Sequence, residues 1–113
     1  MMKDYIKLGG KEYRCEVNWN ALSAFLVSVG RDTLDGLSNI SQMKPSDISA
    51  LMAASINEGE RLDGRECNFS PLDIGSVVRP ADVGAFMDIY IRQSRAQVEE
   101  EVEAKKKDSP VDQ

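Results

Sequence analysis

PADVGAFMDIYIRQSRAQVEEEVEAK, residues 80–105, is the longest stretch of the chain with a single regular pattern. Apolar residues recur in it at spacings of three and four, as in a helix with one buried face. The main face holds Val83, Phe86, Met87, Tyr90 and Ile91 and continues through Ser94, Val98 and Val102. A helix of about 25 residues is about 37 Å long, whereas a compact chain of this size has a radius of gyration of about 13 Å. We therefore expect the part beyond Arg95 to project from the globular body.

A second, weaker apolar stripe on this helix is the predicted partner-binding surface. Ala85, Ile89 and Ala96 fall opposite the main face, and Val98 and Val102 stay apolar where the helix should leave the body. One interpretation is that another helix of the same domain covers the first of these residues. The other is that the stripe contacts a second copy of the chain or a client protein. We predict partner binding by Ala85, Ile89, Ala96, Val98 and Val102.

The N-terminal segment predicts a short β-hairpin over residues 5–8 and 12–17. Gly9-Gly10 between the two strands supplies the positive φ angles of a tight turn. Alternation in the second strand predicts one buried and one solvated face. The predicted buried face holds Tyr13, Cys15 and Val17, and the predicted solvated face holds Glu12, Arg14 and Glu16.

Three shorter helices are predicted between the hairpin and the long helix, over residues 18–29, 46–57 and 70–78. Each begins at a side chain that can accept a hydrogen bond from the free N–H groups of the first turn, namely Asn18, Ser46 or Ser70. The first of these helices is the most hydrophobic, so we expect it to lie centrally. On its apolar stripe, Trp19 is expected in the core rather than at a binding surface.

The predicted fold class is therefore mainly α (α+β): a short N-terminal β-hairpin followed by a compact bundle of about four helices, the last one long. A length of 113 residues corresponds to one domain. We assign residues 1–105 to a single helical domain and residues 106–113 to a disordered tail. In the connector before the second helix, a repeat every three residues predicts a short helical turn, through Leu34, Leu37, Ile40 and Met43.

Composition argues against several classes of function. The net charge of −5 disfavours non-specific binding to nucleic acid, which depends on Lys and Arg at phosphates, and docking on an anionic membrane. No run approaches the roughly 18 apolar residues of a membrane span. The N-terminus leads directly into an alternating segment rather than into an apolar signal-peptide core. We therefore expect a cytoplasmic protein without a membrane partner.

The residue content offers little for catalysis. The chain has no histidine, the commonest general acid–base residue and zinc ligand, and its two cysteines, Cys15 and Cys67, are expected to be reduced thiols. Four acidic residues crowd the predicted loop after the second helix: Glu58, Glu60, Asp63 and Glu66. Their order does not match a calcium-binding EF-hand, so we interpret them as solvated. We predict no enzymatic activity, no cofactor and no metal site.

Several features occur together in this acidic chain. An N-terminal hairpin leads into a helix that begins Asn18-Trp19-Asn20, and a polar segment at residues 57–68 precedes the capped start Ser70-Pro71-Leu72-Asp73. Over about residues 5–100, this layout resembles the tail assembly chaperones of long-tailed bacteriophages.

The resemblance implies a non-enzymatic role in the cytoplasm of the host cell. Such chaperones coat the hydrophobic tape-measure protein and keep it soluble until tail-tube subunits polymerise around it. The expected partners are the tape-measure protein, the tail-tube protein and further copies of the chain, and no nucleic acid. The resemblance also implies that ribosomal frameshifting yields a second, longer product. An A-rich slippery run in the gene would then encode Lys105-Lys106-Lys107. The alternatives are a small regulatory, helical nucleic-acid-binding protein and an enzyme accessory subunit.

Overall fold

The computed structural model describes residues 3–31, 33 and 43–108, with side chains described as far as residue 94. Two antiparallel strands, β1 (Asp4–Leu8) and β2 (Lys11–Cys15), are followed by four helices. The helices are α1 (Trp19–Val29), α2 (Pro45–Leu62), α3 (Pro71–Val77) and α4 (Pro80–Asp108). This arrangement confirms the predicted fold class, including the hairpin and the long last helix.

The hairpin closes through a two-residue turn in which Gly9 and Gly10 have φ angles of 58° and 84°. Positive φ at both central residues is the requirement of a type I′ turn, which glycine meets without strain. The turn sets Leu8 opposite Lys11 and Ile6 opposite Tyr13. Cys15 and Val17 are buried as predicted, and Ile6 and Leu8 of β1 are buried with them, whereas β2 ends two residues earlier than predicted. Arg14 was predicted on the solvated face and is in fact buried.

The central element is α2, and the prediction that α1 lies at the centre was wrong. Twelve of the 18 residues of α2 are buried, whereas α1 buries only Ala21 and Phe25. The surface of α2 includes three buried alanines and a buried glycine, small residues that let α1, α3 and β2 all pack against it. Trp19 is 66% exposed, which corrects its assignment to the core. It lies in the first turn of α1, at the rim of the buried stripe.

The boundaries of α2 also differ from the predicted ones. The helix begins at Pro45 with Lys44 in the N-cap position, not at Ser46. It ends at Leu62, five residues beyond the predicted end, so the first part of the predicted acidic loop is helical.

The extra length of α2 lies along the outer edge of β2. The backbone N–H of Arg14 donates to the Glu60 carboxylate over 3.0 Å, and the N–H of Glu16 donates to the carbonyl oxygen of Ser55 over 3.0 Å. A helix thus satisfies backbone groups that a third strand would otherwise bind, which covers one edge of the sheet. Gly59 permits the close approach, because a Cβ there would lie 2.9 Å from the backbone nitrogen of Cys15.

The last two helices begin as predicted. Ser70 and Asp73 form a reciprocal capping box at α3, and Pro80 opens α4. The 29 residues of α4 correspond to about 43 Å, and the molecule measures 53 × 28 × 24 Å, so α4 is longer than either short dimension. The helix runs three residues past its predicted end, and residues 109–113 of the predicted tail lie outside the described residues. In the connector before α2, Leu34, Leu37 and Ile40 of the predicted helical turn also lie outside the described residues. Met43, the last residue of that repeat, is half-buried and packs against the core.

A glutamine joins α4 to the hairpin. Gln93 Nε2 donates to the carbonyl oxygen of Cys15 over 3.0 Å, and its Oε1 accepts from the N–H of Val17 over 2.7 Å. Beside it, Asp4 accepts from Gln93 over 3.0 Å and from Arg92 over 2.6 Å. These bonds hold the open end of the hairpin on α4.

In the described part of the chain, no helix has both the length and the apolar character that a membrane crossing requires.

Candidate protein-binding surface

The α4 residues predicted to bind a partner do not form one free surface. Ile89 is 4% exposed and belongs to the core of its own domain, together with Phe86 and Tyr90. Its assignment to a partner surface was therefore wrong, because a residue three positions after Phe86 borders the buried stripe rather than facing away from it. Ala85 is exposed. The remaining predicted residues have side chains outside the described part: Ala96, Val98 and Val102.

Helix α1 presents a different surface, which we call the uncharged face. It consists of the six exposed residues of the helix, Trp19, Asn20, Ser23, Ala24, Val27 and Ser28. Trp19 is 66% exposed and Val27 is 81% exposed. No residue of α1 is charged, whereas 29% of the chain is, and each of the other three helices carries at least one acidic residue. Depletion of charge around an exposed aromatic residue is typical of the centre of a protein interface.

Polar contacts at both ends fix α1 against α2. At the N-terminal end, the side-chain amides of Asn18 and Asn20 donate to the Glu58 carboxylate over 2.7 and 3.2 Å. At the other end, the Arg31 guanidinium contacts Asp47 over 2.7 Å. Because Glu58 lies late and Asp47 early in α2, the two helices run antiparallel. The uncharged face is therefore held on a rigid element rather than on a loop.

Glu58 is buried but fully paired. The Arg61 guanidinium binds it in a fork, with Nε donating to Oε1 over 2.8 Å and Nη2 donating to Oε2 over 2.9 Å. These bonds from Arg61 outweigh the opposing effect of burial and, with those from Asn18 and Asn20, lower the pKa of Glu58 to about 2. The carboxylate is thus ionised at neutral pH and serves as a structural anchor beneath α1.

Two of the acidic residues after it, Glu60 and Asp63, belong to an ion-pair cluster rather than to the predicted solvated loop, whereas Glu66 is exposed. Arg65 binds the buried Glu60 in a second fork, over 2.9 and 2.7 Å, which lowers the pKa of Glu60. Arg14 donates to Asp63 over 2.8 Å. Partial burial opposes ionisation of Asp63, but the bond from Arg14 and the charge of Lys3 lower its pKa to about 2. Each of these carboxylates neutralises a cation, and no described group of acidic and thiol side chains is arranged for a metal ion.

A cleft of about 300 Å³ adjoins the uncharged face. Asn20 and Ala24 line it from α1, Ala54 and Arg61 line it from α2, and Glu66 and Cys67 line it from the segment that follows. That segment is attached to α2 by Asn57, whose amide donates to the carbonyl oxygen of Phe69 over 3.0 Å and accepts from its N–H over 2.9 Å.

Neither thiol is activated as a nucleophile in the native fold. Both cysteines are free, as predicted. Burial raises the pKa of Cys15 to about 12, and burial also raises the pKa of Cys67, which is only half-buried. Since the thiolate is the reactive form, neither side chain has the environment of a nucleophile.

No protein family, no curated protein and no solved structure matches the chain. The uncharged face of α1 and the cleft beside it are thus the features of the described residues from which a function can be argued.

Proposed function

We propose that this protein is a non-enzymatic binding protein that holds an apolar helix of a client, and that it acts in the host cytoplasm as a phage tail assembly chaperone for the tape-measure protein. The observation that carries the proposal is the uncharged face, on which Trp19 and Val27 are exposed. The side chains are held on a rigid helix, so little order is lost when a partner covers them.

The shape of the uncharged face suits a helix as the bound partner. Large side chains, Trp19 and Val27, stand at its two ends, and the small Ser23 and Ala24 lie between them. Small residues at the point of contact let two helices approach to about 8 Å, and residues four apart form the ridges that pack into grooves. The 11 residues of α1 extend about 16 Å, which matches three turns of a client helix.

Charge favours a client over a second copy of the chain on this face. Each copy carries a net charge of −5, so two copies placed face to face repel one another. A neutral or basic client is not repelled, and the acidic outer surface of the chaperone keeps the complex soluble. Several copies side by side would cover a long client. The resemblance to tail assembly chaperones supplies the tape-measure protein as that client and the tail-tube protein as a further partner.

Co-expression with the tape-measure and tail-tube proteins of the same genome tests the proposal. We expect the wild-type chain to keep the tape-measure protein soluble in a complex detected by pull-down and light scattering. The double variant Trp19→Asp/Val27→Asp should lose the complex while remaining folded. Leu72→Asp is the matched control, because Leu72 is 80% exposed on another helix. Equal precipitation of the client with and without the chain would contradict the proposal, as would a homodimer that the double variant dissociates.

A further inference from the structure

Among the described residues, one charged side chain of the cleft beside the uncharged face has no partner. Arg61 is bound by Glu58, and Arg65 is bound by Glu60 and Asp63. Glu66 lines the same cleft and, within the described part of the chain, makes no hydrogen bond and no ion pair. The charges of the two arginines are therefore taken up within the protein, and a negative charge is left over at Glu66.

The rest of the cleft complements a long side chain with an apolar stem. Ala24 and Ala54 contribute methyl groups, and the volume of about 300 Å³ accommodates several methylenes and a polar end. Asn20 uses its Nδ2 on Glu58, which leaves its Oδ1 as an acceptor. Lysine and arginine combine an apolar stem with a head that only donates hydrogen bonds, so they match both the methyl groups and the acceptors.

We propose that this cleft receives a lysine or arginine side chain of the client helix, with the stem against Ala24 and Ala54 and the charge at Glu66. The inference rests on the proposed function, because the client helix must lie on the uncharged face for its side chain to enter the cleft. The net charge of −5 adds a long-range attraction for a basic client segment.

Synthetic helical peptides of about 20 residues are the probes. Three peptides share an apolar stripe and differ at one position beside it, which holds Lys, Gln or Glu. Trp19 is the only tryptophan of the chain, so its fluorescence reports occupancy of the uncharged face. Protection of Cys67 from a thiol reagent reports occupancy of the cleft, with the buried Cys15 silent.

We expect the Lys peptide to bind about fivefold more tightly than the Gln peptide, since an exposed ion pair contributes up to about 1 kcal/mol. The Glu peptide should bind most weakly, and only the Lys peptide should fully protect Cys67. Glu66→Gln should abolish the preference for Lys over Gln. Glu12→Gln removes the same charge from an exposed position on β2 and should preserve the preference.

Other outcomes separate the two proposals. Equal affinity for the three peptides, with Trp19 fluorescence changed and Cys67 unprotected, overturns the cleft assignment and leaves client binding intact. Tightest binding of the Glu peptide overturns it too, because Arg61 and Arg65 then determine the selectivity. Unchanged Trp19 fluorescence with every peptide overturns client binding by the uncharged face and the cleft assignment with it.

Discussion

Gly59 of α2 lies directly against the peptide group that follows Arg14 in β2. A Cβ at position 59 would be 2.5 Å from the carbonyl carbon of Arg14 and closer still to its oxygen. These atoms belong to the backbone and cannot rotate away. The contact between the central helix and the sheet therefore depends on the absence of a side chain at one position.

Gly59→Ala should destabilise the fold by about 2–3 kcal/mol, because the overpacking outweighs the gain in helix propensity. Gly84→Ala in α4 is the control, since a Cβ there meets no atom within 4 Å. It should stabilise the protein by up to about 1 kcal/mol. Urea unfolding of both variants measures the difference. Equal stability of the two would show that α2 and β2 are not in this contact.

Acid should weaken the fold through the buried carboxylates. The pKa of Glu58 falls from 4.5 to about 2 on folding, so between these values the unfolded chain binds more protons than the folded one. Lowering the pH through this window therefore favours unfolding, and the stabilisation is fully present above it. The urea midpoint should fall from about pH 5 to about pH 2. Arg61→Gln should make that fall shallower, because it removes the strongest cause of the low pKa of Glu58. If the urea midpoint of the variant depended on pH as steeply as that of the wild type, Glu58 would not be the source of the acid sensitivity.

Trp19→Ala should change stability by less than about 0.5 kcal/mol, because the indole is mostly exposed. Phe25→Ala, six positions on in the same helix, should cost about 3–5 kcal/mol, since Phe25 is fully buried. Thermal or chemical unfolding measures both variants. Iodide should also quench the fluorescence of Trp19 in the native state. A large loss of stability for Trp19→Ala would place the indole in the core.

The two thiols should differ in their rates of labelling. Cys67 is half-buried and should react slowly with a thiol reagent in the native protein, whereas Cys15 should react only after unfolding. Mass spectrometry after peptide digestion assigns each label. In the Cys67→Ser variant, native labelling should disappear. Rapid native labelling of Cys15 would show that the hairpin opens readily from α2.

Local signals in the sequence were sufficient for the hairpin, the start of α3 and the start of α4. The turn glycines, the Ser70 capping box and Pro80 act within a few residues of their own position. The centrality of α2 is not local. Its last turns contain Glu58 and Glu60, which were predicted to be solvated, because the sequence does not show that Asn18 lies beside Glu58 and the backbone of Arg14 beside Glu60.

The candidate site illustrates the same limit. The prediction placed Ile89 opposite the main face of α4, whereas in the structure Ile89 packs in the core beside Phe86 and Tyr90. One property of the uncharged face could be predicted from the sequence, because α1 lacks any charged residue. Its hydrophobicity was taken as evidence of burial. An uncharged helix in a highly charged chain is equally a sign of a surface that another molecule covers.

The Gln93 side chain has a consequence for the order in which the molecule is completed during synthesis. The hairpin leaves the ribosome before α4 does, yet the groups that close its open end wait for a residue 76 positions beyond Val17. Until position 93 emerges, the Cys15 carbonyl and the Val17 N–H have only water as partners in place of Gln93. The sheet is thus made well before the residue that secures it, and a chain that stops before this glutamine leaves it open.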